Sequence, residues 1–236
     1  MKKIFLIFTL ILSFTFLTSC TTENKNLDEI YDLKVEVEYK RELTDSEYLE
    51  LVDRALKVEE DNTYGTITMH NFNYEDETVR FVYDFRGSLN DYKAFYDYSN
   101  ENTMYIKDGY AYIAYDDSKV KSKLSDVYAS YPVVEFKEEF IYESYDYITP
   151  YMMIELLNDL YDTEDLELKF VGLDKRNNYV VNAKVNGDDA RFVFNEKYEL
   201  IYVSVYDRKG ISAYCMYDHK LPTIEYPNLG SYEYTE

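Results

Sequence analysis

The residues able to do chemistry in this chain are few and scattered: Cys20, Cys215, His70, His219 and several runs of adjacent carboxylates. A nucleophilic serine needs a general base, so Ser-His-Asp catalysis would have to use His70 or His219. His70 alternates outward with Thr66 and Thr68, and His219 follows Asp218 at the end of a strand-like run. Both read as surface or packing residues. Two histidines without clustered cysteines leave no conventional zinc set. The carboxylate pairs Asp116-Asp117, Glu138-Glu139 and Asp188-Asp189, with Glu59-Glu60-Asp61 and Glu75-Asp76-Glu77, would hold calcium or do acid–base work only by converging in a cleft. Asp188-Asp189 adjoins a turn and Glu75-Asp76-Glu77 is itself turn-like, so solvated loops explain them more simply. No nucleophile elbow, Gly-rich phosphate loop, HExxH, CxxC or EF-hand spacing occurs. The chain reads as non-enzymatic, without cofactor or metal.

The first twenty residues carry a stronger signal. Lys2 and Lys3 precede an apolar run from Ile4 to Leu17, which closes on Leu17-Thr18-Ser19-Cys20. The run is too short to span a bilayer comfortably and has the proportions of a signal-peptide core. It resembles the bacterial lipoprotein signal, with Leu17-Thr18-Ser19-Cys20 standing as the lipobox. The resemblance implies cleavage between Ser19 and Cys20, diacylglycerol thioether-linked to Cys20, and anchoring at the extracytoplasmic face of the cell membrane. On this reading residues 1–19 are a signal peptide, 20–32 a lipidated cysteine and tether, and 33–236 a single domain. A lipidated Cys20 leaves Cys215 without a disulfide partner, a buried small hydrophobe in an apolar strand.

Hydrophobic residues make up 46% of the chain, enough for a packed core. The 29 tyrosines and 13 phenylalanines, with few glycines and prolines, favour strands. The net charge is −21; removing Lys2 and Lys3 with the leader leaves 23 basic against 46 acidic residues, or −23. Such a balance repels nucleic-acid phosphates and disfavours adhesion of the protein surface to anionic headgroups. The membrane partner is then reached through the lipid on Cys20.

The elements behind these residues alternate in type. Leu33, Val35, Val37 and Tyr39 alternate with charged residues, as in a half-buried strand. Thr44-Asp45-Ser46-Glu47 is a capping box, followed by an apolar stripe of Tyr48, Leu49, Val52, Ala55 and Leu56. Strand-like runs follow at 65–70, 79–86, 91–98 and 104–107, and Asp108-Gly109 joins the last to Tyr110–Tyr115 as a hairpin. Lys119 to Tyr128 reads as a helical turn or two, and Val133 to Tyr142 as strand or helix. Thr149-Pro150 starts a second helix with the stripe Met153, Ile154, Leu157, Leu160 and Tyr161. A second meander follows, with Asn186-Gly187 as its type I′ turn, and Pro222 and Pro227 break regularity in a tail that lies over the sheet or frays.

The expected fold is α+β: a curved antiparallel sheet of meanders with two main helices on one face. With runs such as Met104 to Ile113 in a lipid-anchored chain, it resembles the half-barrel lipoproteins of the Lol-carrier and LppX-like type. That resemblance implies a cavity between sheet and helices that accepts acyl chains, lined here by Leu49, Val52, Leu56, Phe81, Tyr83, Phe85, Met153, Ile154 and Leu157. The abundant tyrosine departs from a purely greasy lining. The function expected is binding of a lipid or other apolar ligand; the alternative is an envelope sensor or adhesin that binds a protein or glycan through its aromatic surface.

Overall fold

The computed structural model describes residues 27–60, 62–71, 77–84, 86, 93–98, 103–115, 118–123, 149–206 and 212–234. Cys20 and Ser19, Phe85 and the segment Val133–Tyr142 lie outside them. The helices are α1 (Leu27–Tyr31), α2 (Asp45–Glu60) and α3 (Pro150–Asp159). The strands are β1 (Tyr39–Glu42), β2 (Tyr64–Asn71), β3 (Glu77–Asp84), β4 (Lys93–Tyr98), β5 (Thr103–Lys107), β6 (Tyr110–Tyr115) and β7 (Ser118–Lys123). After α3 come β8 (Leu166–Asp174), β9 (Tyr179–Val185), β10 (Asp188–Phe194), β11 (Leu200–Tyr206), β12 (Ser212–Asp218) and β13 (Glu233–Tyr234).

Local chemistry sets the boundaries. Thr44 N–H donates to Glu47 Oε2 (2.9 Å) and Glu47 N–H donates back to Thr44 Oγ1 (3.3 Å), closing the capping box at α2. Thr149 Oγ1 accepts from Met152 N–H (3.2 Å) at the start of α3, with Pro150 at its first position. Asp108-Gly109 (φ 53° and 76°) and Asn186-Gly187 (φ 52° and 89°) take the left-handed conformations that a type I′ hairpin requires.

All thirteen strands form one curved, unclosed sheet in the order β1-β8-β9-β10-β11-β12-β2-β3-β4-β5-β6-β7-β13, antiparallel except for β13 against β7. The second meander therefore precedes the first across the sheet. They join where β12 pairs with β2, with Cys215 opposite Met69. This order dictates the helices. The chain must travel from β1 to β2, six positions or about 29 Å at the usual strand spacing. The sixteen residues of α2 supply about 24 Å of that path. Leu43 N–H donates to Val171 O at one end (2.8 Å), and Leu200 N–H donates to Glu59 Oε1 at the other (3.4 Å), so α2 crosses β8 to β11 diagonally. Beside it lies α3, where Tyr48 OH donates to Leu157 O (3.2 Å).

The main core lies between these helices and the concave face, and a smaller one beneath α1 on the outer face joins Leu27 and Tyr31 to Val180, Val193 and Tyr202. Strand β10 is consequently buried on both faces from Ala190 to Phe194.

Four expectations change. Residues 33–38 form a turn and an irregular stretch rather than a strand, because the carbonyls of Asp32 and Val35 turn toward Arg191. Residues 27–31, expected within the tether, form α1 docked on the sheet. The stretch from Lys119 to Tyr128, expected as a helical turn or two, begins instead as a strand: Ser118–Lys123 form β7, whose Val120 pairs with Ile113 of β6, and 124–128 lie outside the described residues. The stripe of α2 is rotated: Leu49 is 43% exposed while Leu51 is 1% exposed, because the buried line runs through Tyr48, Leu51, Val52, Ala55 and Glu59. The tail lies over the sheet, with Tyr226 OH donating to Ile106 O (3.1 Å).

Candidate functional site

The expected cavity-lining residues divide cleanly. Val52, Phe81, Tyr83, Ile154 and Leu157 are buried in one cluster beneath α2 and α3, with Leu56 and Met153 packed against it. Leu49 faces solvent, and Phe85 lies outside the described residues. The seven come from two helices and β3, which the crossing path of α2 brings together. Phe81 and Tyr83 stack with ring centroids 5.0 Å apart. Phe95, opposite Val82 on β3, stands on the other face, where it stacks on Tyr105 (4.8 Å), which in turn meets Tyr226 of the tail (5.9 Å).

One end of the apolar layer is polar. Glu59, 1% exposed on the last turn of α2, accepts from Asn62 Nδ2 (3.2 Å) and Leu200 N–H. His219 Nε2 lies 2.7 Å from Leu200 O and 3.5 Å from Glu59 Oε1, and its Nδ1 lies 2.8 Å from Asn62 Nδ2. A carbonyl only accepts and an amide N–H only donates, so the ring carries its proton on Nε2. Both nitrogens are thereby committed to structure. His70 is likewise engaged, with Thr78 Oγ1 2.9 Å from its Nδ1 and its ring stacked on Tyr214. Burial pushes the Cys215 thiol up to about 12, and burial raises Tyr83 and Tyr217 as well, with the Glu59 carboxylate adding to both. A thiol held protonated is a poor nucleophile, so Cys215 is packing.

Among the described residues, two clefts open away from this layer. One, of about 440 Å³, lies on the outer face between the turn after α1 and strands β8 to β11, lined by Leu33, Lys34, Lys169, Asn182, Arg191 and Tyr206 among others. The second, of about 370 Å³, lies under the tail between Pro222, Ile224 and Tyr226 on one side and Asp84, Lys93 and Lys107 on the other.

No protein-family model matches the sequence, and no curated protein matches it. Among solved structures, LprF from Mycobacterium bovis is similar over 80% of this chain and 99% of its own, with a TM-score of 0.45 and 7% identity. MucB is similar over 75% of this chain and 61% of its own, with a TM-score of 0.40 and 10% identity. A conserved protein from Thermus thermophilus is similar over 80% of this chain and 98% of its own, with a TM-score of 0.37 and 12% identity. Likenesses this distant assign neither a family nor an activity.

Sequence reasoning passed over the outer-face residues. Arg191 donates from Nε to Asn182 Oδ1 (2.7 Å) and from Nη1 to the carbonyls of Asp32 (2.8 Å), Val35 (3.0 Å) and Tyr31 (3.2 Å). Tyr31 OH donates to the fully buried Asp174 (2.6 Å) and accepts from Asn178 Nδ2 (2.6 Å). The one available signal was a lone arginine within Ala190-Arg191-Phe192-Val193-Phe194, which alternation alone assigns to solvent.

Proposed function

We propose that the chain is a non-enzymatic lipoprotein anchored through Cys20 at the extracytoplasmic face of the cell membrane, and that it takes up a lipid or another apolar ligand between the sheet and helices α2 and α3. The observation that carries the uptake reading is the convergence of Val52, Leu56, Phe81, Tyr83, Met153, Ile154 and Leu157 in one layer beneath α2 and α3. The ten-residue α3 meets α2 through the Tyr48–Leu157 hydrogen bond and a Tyr48–Tyr161 ring contact at 5.5 Å. Outward movement of such a short element exposes Ile154 and Leu157, whose burial is worth about 1.5–3 kcal/mol each, and an acyl chain in their place restores that burial. The anchoring reading rests on Leu17-Thr18-Ser19-Cys20 behind its basic and apolar leader.

Native mass spectrometry of the full chain purified from its own membranes tests the uptake, alongside titration with a fluorescent fatty acid. Bound lipid or saturable uptake supports it; consistently empty protein that takes up no probe overturns it. Cys20→Ser tests the anchor separately. It is expected to leave an unprocessed or soluble product, and unchanged membrane retention with lipid labelling refutes the lipobox.

A further inference from the structure

The outer-face cleft beside α1 has a property that neither its position nor the composition of the chain foreshadows. Its floor is Arg191, which is only 7% exposed. Buried charges in proteins are ordinarily paired with an opposite charge. Among the described residues Arg191 instead meets neutral acceptors: the Asn182 side-chain oxygen through Nε, and three backbone carbonyls through Nη1. Those bonds leave Nη2 uncommitted, and the small accessible remainder of the side chain opens on the cleft.

The walls add to the positive charge. The exposed Lys34 ammonium sits 4.9 Å from the centroid of the Tyr206 ring, and Lys169 enters from β8, paired with Glu167 (2.6 Å). Asp189 is the carboxylate in the lining. The lining itself holds three cations and one carboxylate, with Glu167 paired to Lys169 and the Asp32 carboxylate acting on Lys34 and Arg191 from beside it, so the cleft is not acidic in a chain with 46 acidic and 25 basic residues.

We propose that this cleft binds a phosphoryl group through Arg191 and Lys34. The Nη2 donors of a guanidinium whose other nitrogens are fixed, and a separately placed ammonium, suit a group that offers several oxygens in different directions. The cleft, at about 440 Å³, exceeds a bare anion and leaves space for the remainder of a phosphate ester. Two sources present this chemistry: a phospholipid headgroup and a soluble phosphate ester. The lipid source rests on anchoring through Cys20: the seven steps from Cys20 to Leu27, where α1 begins, span at most about 25 Å, which keeps this face near the headgroups.

Isothermal titration calorimetry of the full chain in non-ionic detergent tests the site with glycerol 3-phosphate, with dihexanoylphosphatidylglycerol, and with dihexanoylglycerol as the uncharged control. At least one phosphate probe is expected to bind at one site, about tenfold more weakly in Lys34→Gln and roughly two- to fivefold more tightly in Asp189→Asn. Both side chains are exposed and neither holds α1, so both variants fold. Tighter binding of the phospholipid than of glycerol 3-phosphate identifies a headgroup; equal or weaker binding identifies a soluble ester. Absence of binding by either phosphate probe, equal binding of dihexanoylglycerol, or affinities indifferent to both substitutions overturns the proposal. Fatty-acid uptake beneath α2 and α3 is measured separately and is expected to be unchanged in Lys34→Gln, so loss of one reading is distinguishable from loss of the other.

Discussion

Arg191→Met isolates what ties α1 and the turn after it to the sheet. Methionine keeps most of the unbranched stem but removes every donor. Four acceptors lose their partner: Asn182 Oδ1 and the carbonyls of Tyr31, Asp32 and Val35. Hydrogen bonds from a charged donor are worth about 1.5–3 kcal/mol each, but they are not additive here. The three carbonyls lie at and just beyond the end of a one-turn helix, where water replaces the guanidinium once α1 lifts. Arg191 also sheds the cost of burying its charge, seen in a pKa drawn down by desolvation. The expected net loss is about 3 kcal/mol, a large part of the 5–15 kcal/mol that stabilises a typical domain. For a domain of this size that corresponds to a fall of about 6–12 °C in Tm. Hydrogen exchange locates the loss, with amides of residues 27–37 expected to lose protection before those of β9 and β10. Arg191→Lys, which keeps the charge and loses the fork, should fall between. A Tm within about 2 °C of the parent, with unchanged exchange across residues 27–37, refutes the argument that Arg191 holds α1.

Three further outcomes follow from particular contacts. Leu157→Ala empties a fully buried position where α3 meets the sheet and should cost about 2–5 kcal/mol by urea unfolding; a loss below about 1 kcal/mol would mean that the layer collapses freely around the gap. Gly172→Ala places a methyl 2.9 Å from the Arg41 carbonyl and 2.5 Å from the Phe170 ring, so the β1–β8 edge should loosen by about 1–3 kcal/mol, and an unchanged exchange rate in β1 would contradict that. Cys215 ionises in the unfolded chain near about 8.5 but at about 12 when folded. The unfolded state therefore releases its proton first, and stability should fall as pH rises from about 9 toward 12, with the buried Tyr83 and Tyr217 acting in the same direction. Urea midpoints from pH 8 to 11 measure the fall, and iodoacetamide should leave Cys215 unlabelled until the chain unfolds; a flat profile with rapid labelling would refute the burial.

What was legible in the sequence was local. Asp108-Gly109 and Asn186-Gly187 set hairpins because two adjacent residues decide the turn, and Thr44, Glu47 and Thr149 set helix starts because the cap lies within three residues of its partner. The order of the two meanders was not legible: the pairing of Cys215 with Met69 joins strands far apart in sequence, and no local pattern specifies it. Leu49 and Leu51 fit a helical stripe equally well until the sheet chooses the face. The five residues of α1 are too few to form a helix by propensity alone, so docking creates the element. Alternation alone assigns Arg191 to a solvent face, and no local pattern shows that α1 covers that face.

The net charge misleads for a related reason. A value of −21 describes repulsion at a distance, and at physiological ionic strength it is screened beyond about 8 Å. The register of β5, β6 and β7 sets Lys107 beside Tyr110, Tyr110 beside Lys123, and Tyr112 beside Lys121, so these residues stand on the sheet face opposite the buried Ile106 and Ala111. The Lys121 ammonium lies 3.9 Å from the Tyr110 ring centroid, and Lys107 lies 4.8 Å from that of Tyr226. Cations held against aromatic rings keep their charge in place at the surface. Together with the Arg191 cleft, they place fixed cations on the outer face of the sheet in an acidic protein. The sequence argument against anionic partners therefore holds for approach from a distance. Contact depends on local side chains, and an acidic total does not locate the lysines and Arg191 on that face.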